Sequence, residues 1–218
     1  EFKNGKYFPE NLRQSLREYL YAVCSLVYDN ENLYQSATEA DRMILDFFYK
    51  RKYTPAANIF FFYNLKKSFP ELLQELKEEH PDETFDEVEI LSPYFGDNQP
   101  LKYIQEVFSP DRARISLPYE NEGEVSIPQS FYHELKELGV QWCDIDILKN
   151  EKGFRFNHSK IYRIKGQSTI FTVIGSVNLT NAAFQAFSNK KYPGNLEAAL
   201  IYKEPARKWQ SLLSPHHG

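Results

Sequence analysis

From residue 85 onward the chain alternates short β-type runs with amphipathic helical ones, and few architectures accept that rhythm. "DEVEILSPYF" reads as a strand, "QPLKYIQEVF" as a helix, "RARISLP" as a strand and "IPQSFYHELKEL" as a helix. "GVQWCDIDI", "FRFNHSKIYRI" and "STIFTVIGSVN" read as three further strands. "LTNAAFQAF" then reads as a helix, "LEAALIY" as a strand and "EPARKWQSLL" as a closing helix. Strands that alternate with helices bury their faces best as a layered α/β domain, a mixed sheet flanked by helices on both faces.

The N-terminal stretch is different. Leu12, Leu16, Leu20, Val23 and Val27 recur at spacings of three and four, which predicts an amphipathic helix. A second helix is predicted to open at "SATE", with Ser36 and Glu39 as a capping box, and to run through Ile44, Phe47 and Phe48. "IFFFYN" follows as a short apolar strand of the core, and "SFPELLQELKEEHP" as a helix with Pro70 in its first turn. The expected organisation is therefore residues 1–54 as the helical end of a preceding half or linking region, and 55–218 as one α/β half.

Composition narrows the function. With 218 residues, 42% hydrophobic and 16% aromatic, the chain is globular, and a net charge of −4 argues against a general polyanion coat while leaving a local basic groove possible. Lys102, Arg112, Arg114, Lys152 and Arg155 are too scattered to define such a groove. Cys24 and Cys143 stand far apart without a CxxC or CxxxH partner, so neither a zinc site nor a disulfide framework is suggested and a reducing cytoplasm is the expected location. No apolar run reaches the roughly 18 residues of a membrane-spanning helix. The chain opens on Glu1 rather than Met and runs straight into a helix, which suggests part of a longer polypeptide.

In layered α/β domains ligands gather at the carboxyl ends of strands. "SPYFGDN" and "GSVNLT" are predicted to lie at such ends, and "HSK" within a neighbouring strand. In that strand, alternation would place His158 and Lys160 on one face, a proton carrier beside a fixed cation. The segment "HSKIYRIKGQSTIFTVIGSVNLTNAAF" resembles the signature of the phospholipase D superfamily, H-x-K followed after a hairpin by G-S-x-N, carried here by His158, Lys160, Gly175, Ser176 and Asn178. "NLE" at 195–197 is similar to the N-x-E that follows in small endonucleases of that superfamily. "NIFFFYNLKKSFPELLQEL" and "EVEILSPYFGDN" look like the start of the second half of two-motif members related to tyrosyl-DNA phosphodiesterase. Lys165 stands where the long form of the HKD motif has Asp, a departure that the tyrosyl-DNA phosphodiesterase branch shares and that weighs against the phospholipase reading.

The resemblance implies a phosphodiesterase with a phosphohistidine intermediate and no metal or other cofactor. His158 would be the general acid and base, and Lys160 a point charge on a phosphate oxygen. Asn178 and Ser176 would be neutral donors to the phosphate, aided by amides of the "LTNAAF" helix, and Glu197 would hold the other nitrogen of His158. Thr180, Ser92 and Tyr94 are the candidate substrate-binding residues. His80, His133, His216 and His217 lie in no second H-x-K, so the other half must come from upstream in the same polypeptide or from a homodimer partner. The partner class is nucleic acid, DNA ahead of RNA, with no membrane. Phospholipid hydrolysis or transfer, and a silent half that only binds DNA or protein, are the alternatives.

Overall fold

The computed structural model describes residues 7–28, 34–49, 52–54, 58–119, 125, 127–145, 149–150, 153–154, 158–188, 191 and 194–216. Lys152, Arg155, His217 and residues 189, 190, 192 and 193 lie outside these. The chain divides into two compact units, 1–63 and 64–218.

In the first unit, β1 (Tyr7–Pro9) pairs in parallel with β2 (Lys52–Thr54). Helix α1 (Glu10–Tyr28) contacts α2 (Tyr34–Tyr49) and β3 (Ile59–Tyr63). The Asn11 amide donates to the Ile59 carbonyl, and Tyr19 lies 5.3 Å from Phe61 and 5.4 Å from Tyr63, ring to ring. Because α2 begins at Tyr34, Ser36 is inside the helix and cannot be its cap. The strand β3 is also less buried than its apolar run suggests: Phe62 is buried, while Phe60 is exposed.

The second unit opens with α3 (Phe69–Glu78), whose capping box is formed by Ser68 and Glu71 with Pro70 in the first turn. There follow β4 (Phe85–Leu91), α4 (Gln99–Phe108), β5 (Arg112–Ser116), α5 (Gln129–Glu137) and β6 (Val140–Asp144). A two-residue hairpin, β7 (Lys149–Asn150) with β8 (Gly153–Phe154), precedes β9 (Lys160–Gly166) and β10 (Thr169–Gly175). The chain ends through α6 (Asn181–Phe184), β11 (Ala198–Pro205) and β12 (Ser214–Pro215). Apart from the β7–β8 hairpin, these strands form one mixed sheet in the order β12-β6-β5-β4-β9-β10-β11. Strands β4, β5 and β6 are mutually parallel, β9 is antiparallel to β4, and β10 reverses again, so the carboxyl ends of β4, β5, β6 and β10 share one end of the sheet.

One sheet face carries Val88, Ile90, Tyr162, Ile164, Phe171 and Val173 across β4, β9 and β10, in register. Phe69 of α3 meets Tyr162 at 5.1 Å, and Phe108 of α4 meets Phe85 at 4.9 Å. On α5, Tyr132 stacks on Trp142 at 5.4 Å and 9°. The opposite face holds a charged ladder that hydrophobic patterning does not anticipate. Glu87 pairs with Arg112 (3.3 Å) and Arg114 (3.1 Å), and the fully buried Glu89 pairs with Arg163 (3.1 Å). Two of the scattered basic residues are therefore consumed within the sheet.

That ladder also explains why the closing helix is absent. After β11 only a single 3₁₀ turn forms, Ala206–Lys208, and Trp209 is extended. Arg163 donates to the Gln210 carbonyl at 2.6 Å and lies 4.2 Å from the Trp209 ring centroid. The Leu212 amide and the Ser211 hydroxyl donate to Glu89. Backbone groups that a helix would satisfy internally are satisfied by sheet charges instead, so tertiary contacts override the local propensity.

Candidate active site

Strand pairing brings the chemical residues to the shared carboxyl end. Gly175 at the close of β10 is in register with Lys160 at the opening of β9 and with Ala199 on β11. Leu91, the last residue of β4, faces Ile161, which brings the turn from Ser92 to Tyr94 to the same place.

Strand β9 begins only at Lys160, so His158 and Ser159 precede it and strand alternation does not set their relation. The two side chains meet because the Lys160 ammonium reaches back. Nζ lies 2.8 Å from His158 Nδ1, 3.2 Å from Nε2, and donates to the His158 carbonyl at 2.9 Å. Lys160 is buried and His158 exposed, so the cation is fixed beneath an accessible proton carrier. Burial pulls the Lys160 ammonium below its ordinary value, opposed by the nearby Glu197 charge.

Glu197 is buried, and its burial raises the carboxyl above the ordinary range against hydrogen bonds from Ser176 and Asn195 and the charge of Lys160. The Ser176 hydroxyl donates to Glu197 Oε2 and accepts the Ala198 amide at 3.0 Å, while the Ser176 amide donates to the Ala198 carbonyl at 3.0 Å. The structure thus brings the exposed Ser176 to the carboxylate. Tyr162 lies on the same strand face as Lys160, fully buried, and donates to the Val177 carbonyl at 3.1 Å.

Asn178 Oδ1 is buried, with no hydrogen-bond partner among the described residues. Thr180 caps α6, its hydroxyl accepting the Ala183 amide at 3.3 Å, and α6 is a single turn, so it contributes less of a positive helix end than a longer helix would. Ser92 is buried, donates to the Tyr94 carbonyl at 2.8 Å and accepts the Leu179 amide at 3.1 Å. It fastens the 92–94 turn to the G-S-x-N loop, whereas Tyr94 is 51% exposed with its ring 5.8 Å from that of His158.

The remaining described histidines are engaged elsewhere: His80 with Glu83 at 3.3 Å, His133 edge-on to Tyr132, and His216 with Asp144 at 3.1 Å. Among the described residues no group of three or more His, Cys, Asp or Glu side chains is arranged to hold a metal ion, and no helix is long and apolar enough to cross a membrane. Both cysteines are free and buried, and burial pushes the Cys143 thiol up to about 11.

Asn64 is the residue that sequence reading missed. It is fully buried beside Glu197, and its only signal is position, as the polar residue that closes the aromatic run "IFFFYN".

No family model and no curated protein matches the sequence. Among solved structures the chain is similar to the yeast tyrosyl-DNA phosphodiesterase, with a TM-score of 0.57 at 16% identity over 90% of this chain and 57% of that one. NucT from Helicobacter pylori gives 0.43 at 17% identity, over 68% and 86% of the two chains. Nuc from Salmonella typhimurium, a phospholipase D family member, gives 0.44 at 15%, over 68% and 84%. The chain spans a little over half the length of the yeast enzyme. Its fold is the one found in tyrosyl-DNA phosphodiesterase, the phospholipase D-like layered α/β fold that the motif resemblance implied.

Proposed function

We propose that this end of the sheet is one half of a metal-independent phosphodiesterase centre that acts on nucleic acid, DNA ahead of RNA. The observation that carries the reading is a buried cation set against an exposed imidazole, Lys160 and His158, at the sheet end where Gly175 is in register with Lys160 and from which the loop bearing Asn178 departs. A phosphodiester undergoing attack spreads charge over its non-bridging oxygens, and a fixed ammonium with a neutral amide is suited to receive it.

In this mechanism Lys160 holds one phosphate oxygen and the Asn178 amide, turned to present its NH₂ group, holds another. His158 protonates the leaving oxygen and then activates water. The phosphohistidine forms on a second histidine from another half, supplied by the same polypeptide or by a second copy. Glu197, held by the Ser176 hydroxyl, balances the buried ammonium. Tyr94 supplies an exposed aromatic rim on which a base stacks. The likeness to tyrosyl-DNA phosphodiesterase supports the choice of nucleic acid over phospholipid.

The test is cleavage of a labelled oligonucleotide by the complete protein in excess EDTA. Activity is expected to persist in EDTA, and His158→Ala to lower it about 100- to 10,000-fold, the contribution of a general acid and base. Lys160→Ala is expected to weaken inhibition by inorganic phosphate as well. Activity that EDTA abolishes and magnesium restores would overturn the reading.

A further inference from the structure

We propose that Asn64 is a positioning residue for the buried carboxylate of Glu197, an inference that rests on the functional reading above. Asn64 is 0% exposed. Its Nδ2 donates both hydrogens, to the Gln185 carbonyl at 2.9 Å and the Asn195 carbonyl at 2.6 Å, and its Oδ1 accepts the Glu197 amide at 2.7 Å. Its backbone amide donates to the Glu197 carbonyl at 3.0 Å, and its carbonyl accepts the Phe187 amide at 2.7 Å.

Every partner is a backbone group, so the arrangement reads chain position rather than side-chain identity. A carboxamide alone provides two donors and one acceptor in a fixed plane at this reach: aspartate lacks the donors, serine has one, and glutamine is longer by one carbon. The two carbonyls that it grips lie at the two sides of the neck of the loop between α6 and β11. The neck is tight, because a Cβ built on Gly194 would stand 2.5 Å from the Gln185 carbonyl oxygen. Asn195 also donates to the Ala182 carbonyl at 2.9 Å.

The consequence is mechanical isolation. With its neck closed by Asn64, the loop can differ in length and composition without moving Glu197, two residues beyond the clamp. Glu197 in turn accepts from Ser176 and lies near Lys160, so an error at Asn64 is transmitted to the ammonium that meets the phosphate. Asn64 touches no reacting atom in this scheme.

The test uses Asn64→Ala and the milder Asn64→Ser in the complete protein. Three quantities are read: melting temperature, the carboxyl ¹³C titration of Glu197, and the split of kcat against KM for EDTA-resistant cleavage. A misplacement on the order of 1 Å costs about 100-fold in rate, so kcat is expected to fall about 10- to 100-fold with KM changed by less than about threefold. The Glu197 titration is expected to move down toward the ordinary carboxylate range as water reaches it. Variants that melt earlier but keep the wild-type Glu197 titration would overturn the proposal, whether or not the protein cleaves nucleic acid. Absence of cleavage by the wild type would instead count against the phosphodiesterase reading alone, since the titration needs no turnover. If neither variant folds, amide exchange in the wild type decides. The Phe187 and Glu197 amides, both bound to Asn64, are expected to open with one common protection, and independent exchange would overturn the proposal.

Discussion

Gly175→Ala is the smallest change that tests how the sheet assembles the site. A methyl group on Gly175 would lie 2.2 Å from the Ala198 carbonyl oxygen and 2.6 Å from both Cα and Cβ of Ala199. These are backbone or backbone-anchored atoms, so no rotamer relieves the contact. Normal separation requires β10 and β11 to part by about 1 Å in a sheet whose strands are spaced about 4.7–4.9 Å apart. Overpacking of this kind costs about 1–3 kcal/mol. The two 3.0 Å bonds between Ser176 and Ala198 span the same gap, and losing both adds about 1–3 kcal/mol. The sum, about 2–6 kcal/mol, corresponds to a melting temperature lowered by about 4–24 °C for a chain of this size. Thermal unfolding followed by circular dichroism gives the stability, and titration with inorganic phosphate reports the site. Because Ser176 and Glu197 separate with the strands, phosphate affinity is expected to fall even at temperatures where the variant is folded. A variant that melts within about 2 °C of wild type, less than about 1 kcal/mol, and binds phosphate normally would refute the reasoning.

Two further outcomes follow from buried charge. The carboxyl of Glu197 is raised by burial, so the folded state binds a proton more readily than the unfolded state, and the contribution of this group to stability falls as pH rises from the ordinary carboxylate range through the raised folded value. Glu197→Gln is expected to lose that pH dependence of melting and to lose cleavage; a variant that keeps the wild-type pH dependence would contradict it. Glu89→Ala is expected to cost about 3–5 kcal/mol in urea unfolding, because it strands the Arg163 guanidinium in a buried site. An unchanged midpoint would show that the ladder is solvated.

Much of the α/β domain was legible because the patterns were local. The helix over Gln99–Phe108 and the strands around Ile90, Ile115 and Val173 emerge from periodicity and turn residues alone. Site residues were legible as a motif, but their geometry was not. Strand alternation put His158 and Lys160 on one face, whereas they meet through a reach back from the first residue of β9. Ser176 was legible through the G-S-x-N pattern, and only the fold shows that its hydroxyl donates a hydrogen bond to Glu197. Asn64 and the Glu89–Arg163 pair were invisible for a related reason. Their partners lie 133 and 74 residues away in sequence, and no local signal encodes such a separation.

The last strand of the sheet, β12, is two residues long and ends in proline. It lies against Cys143 and Asp144 of β6, and the His216 amide then donates to the Trp142 carbonyl at 3.3 Å. A sheet is a polymerisation template wherever an outer strand shows a full row of free amides and carbonyls. Here the row is covered by a stub too short to extend, with a residue that has no N–H to give. β12 thus acts as a terminator of the sheet: without it β6, with its buried Trp142 and Cys143, would offer that row to another chain, and substitutions that unpair Ser214 and Pro215 are expected to promote self-association.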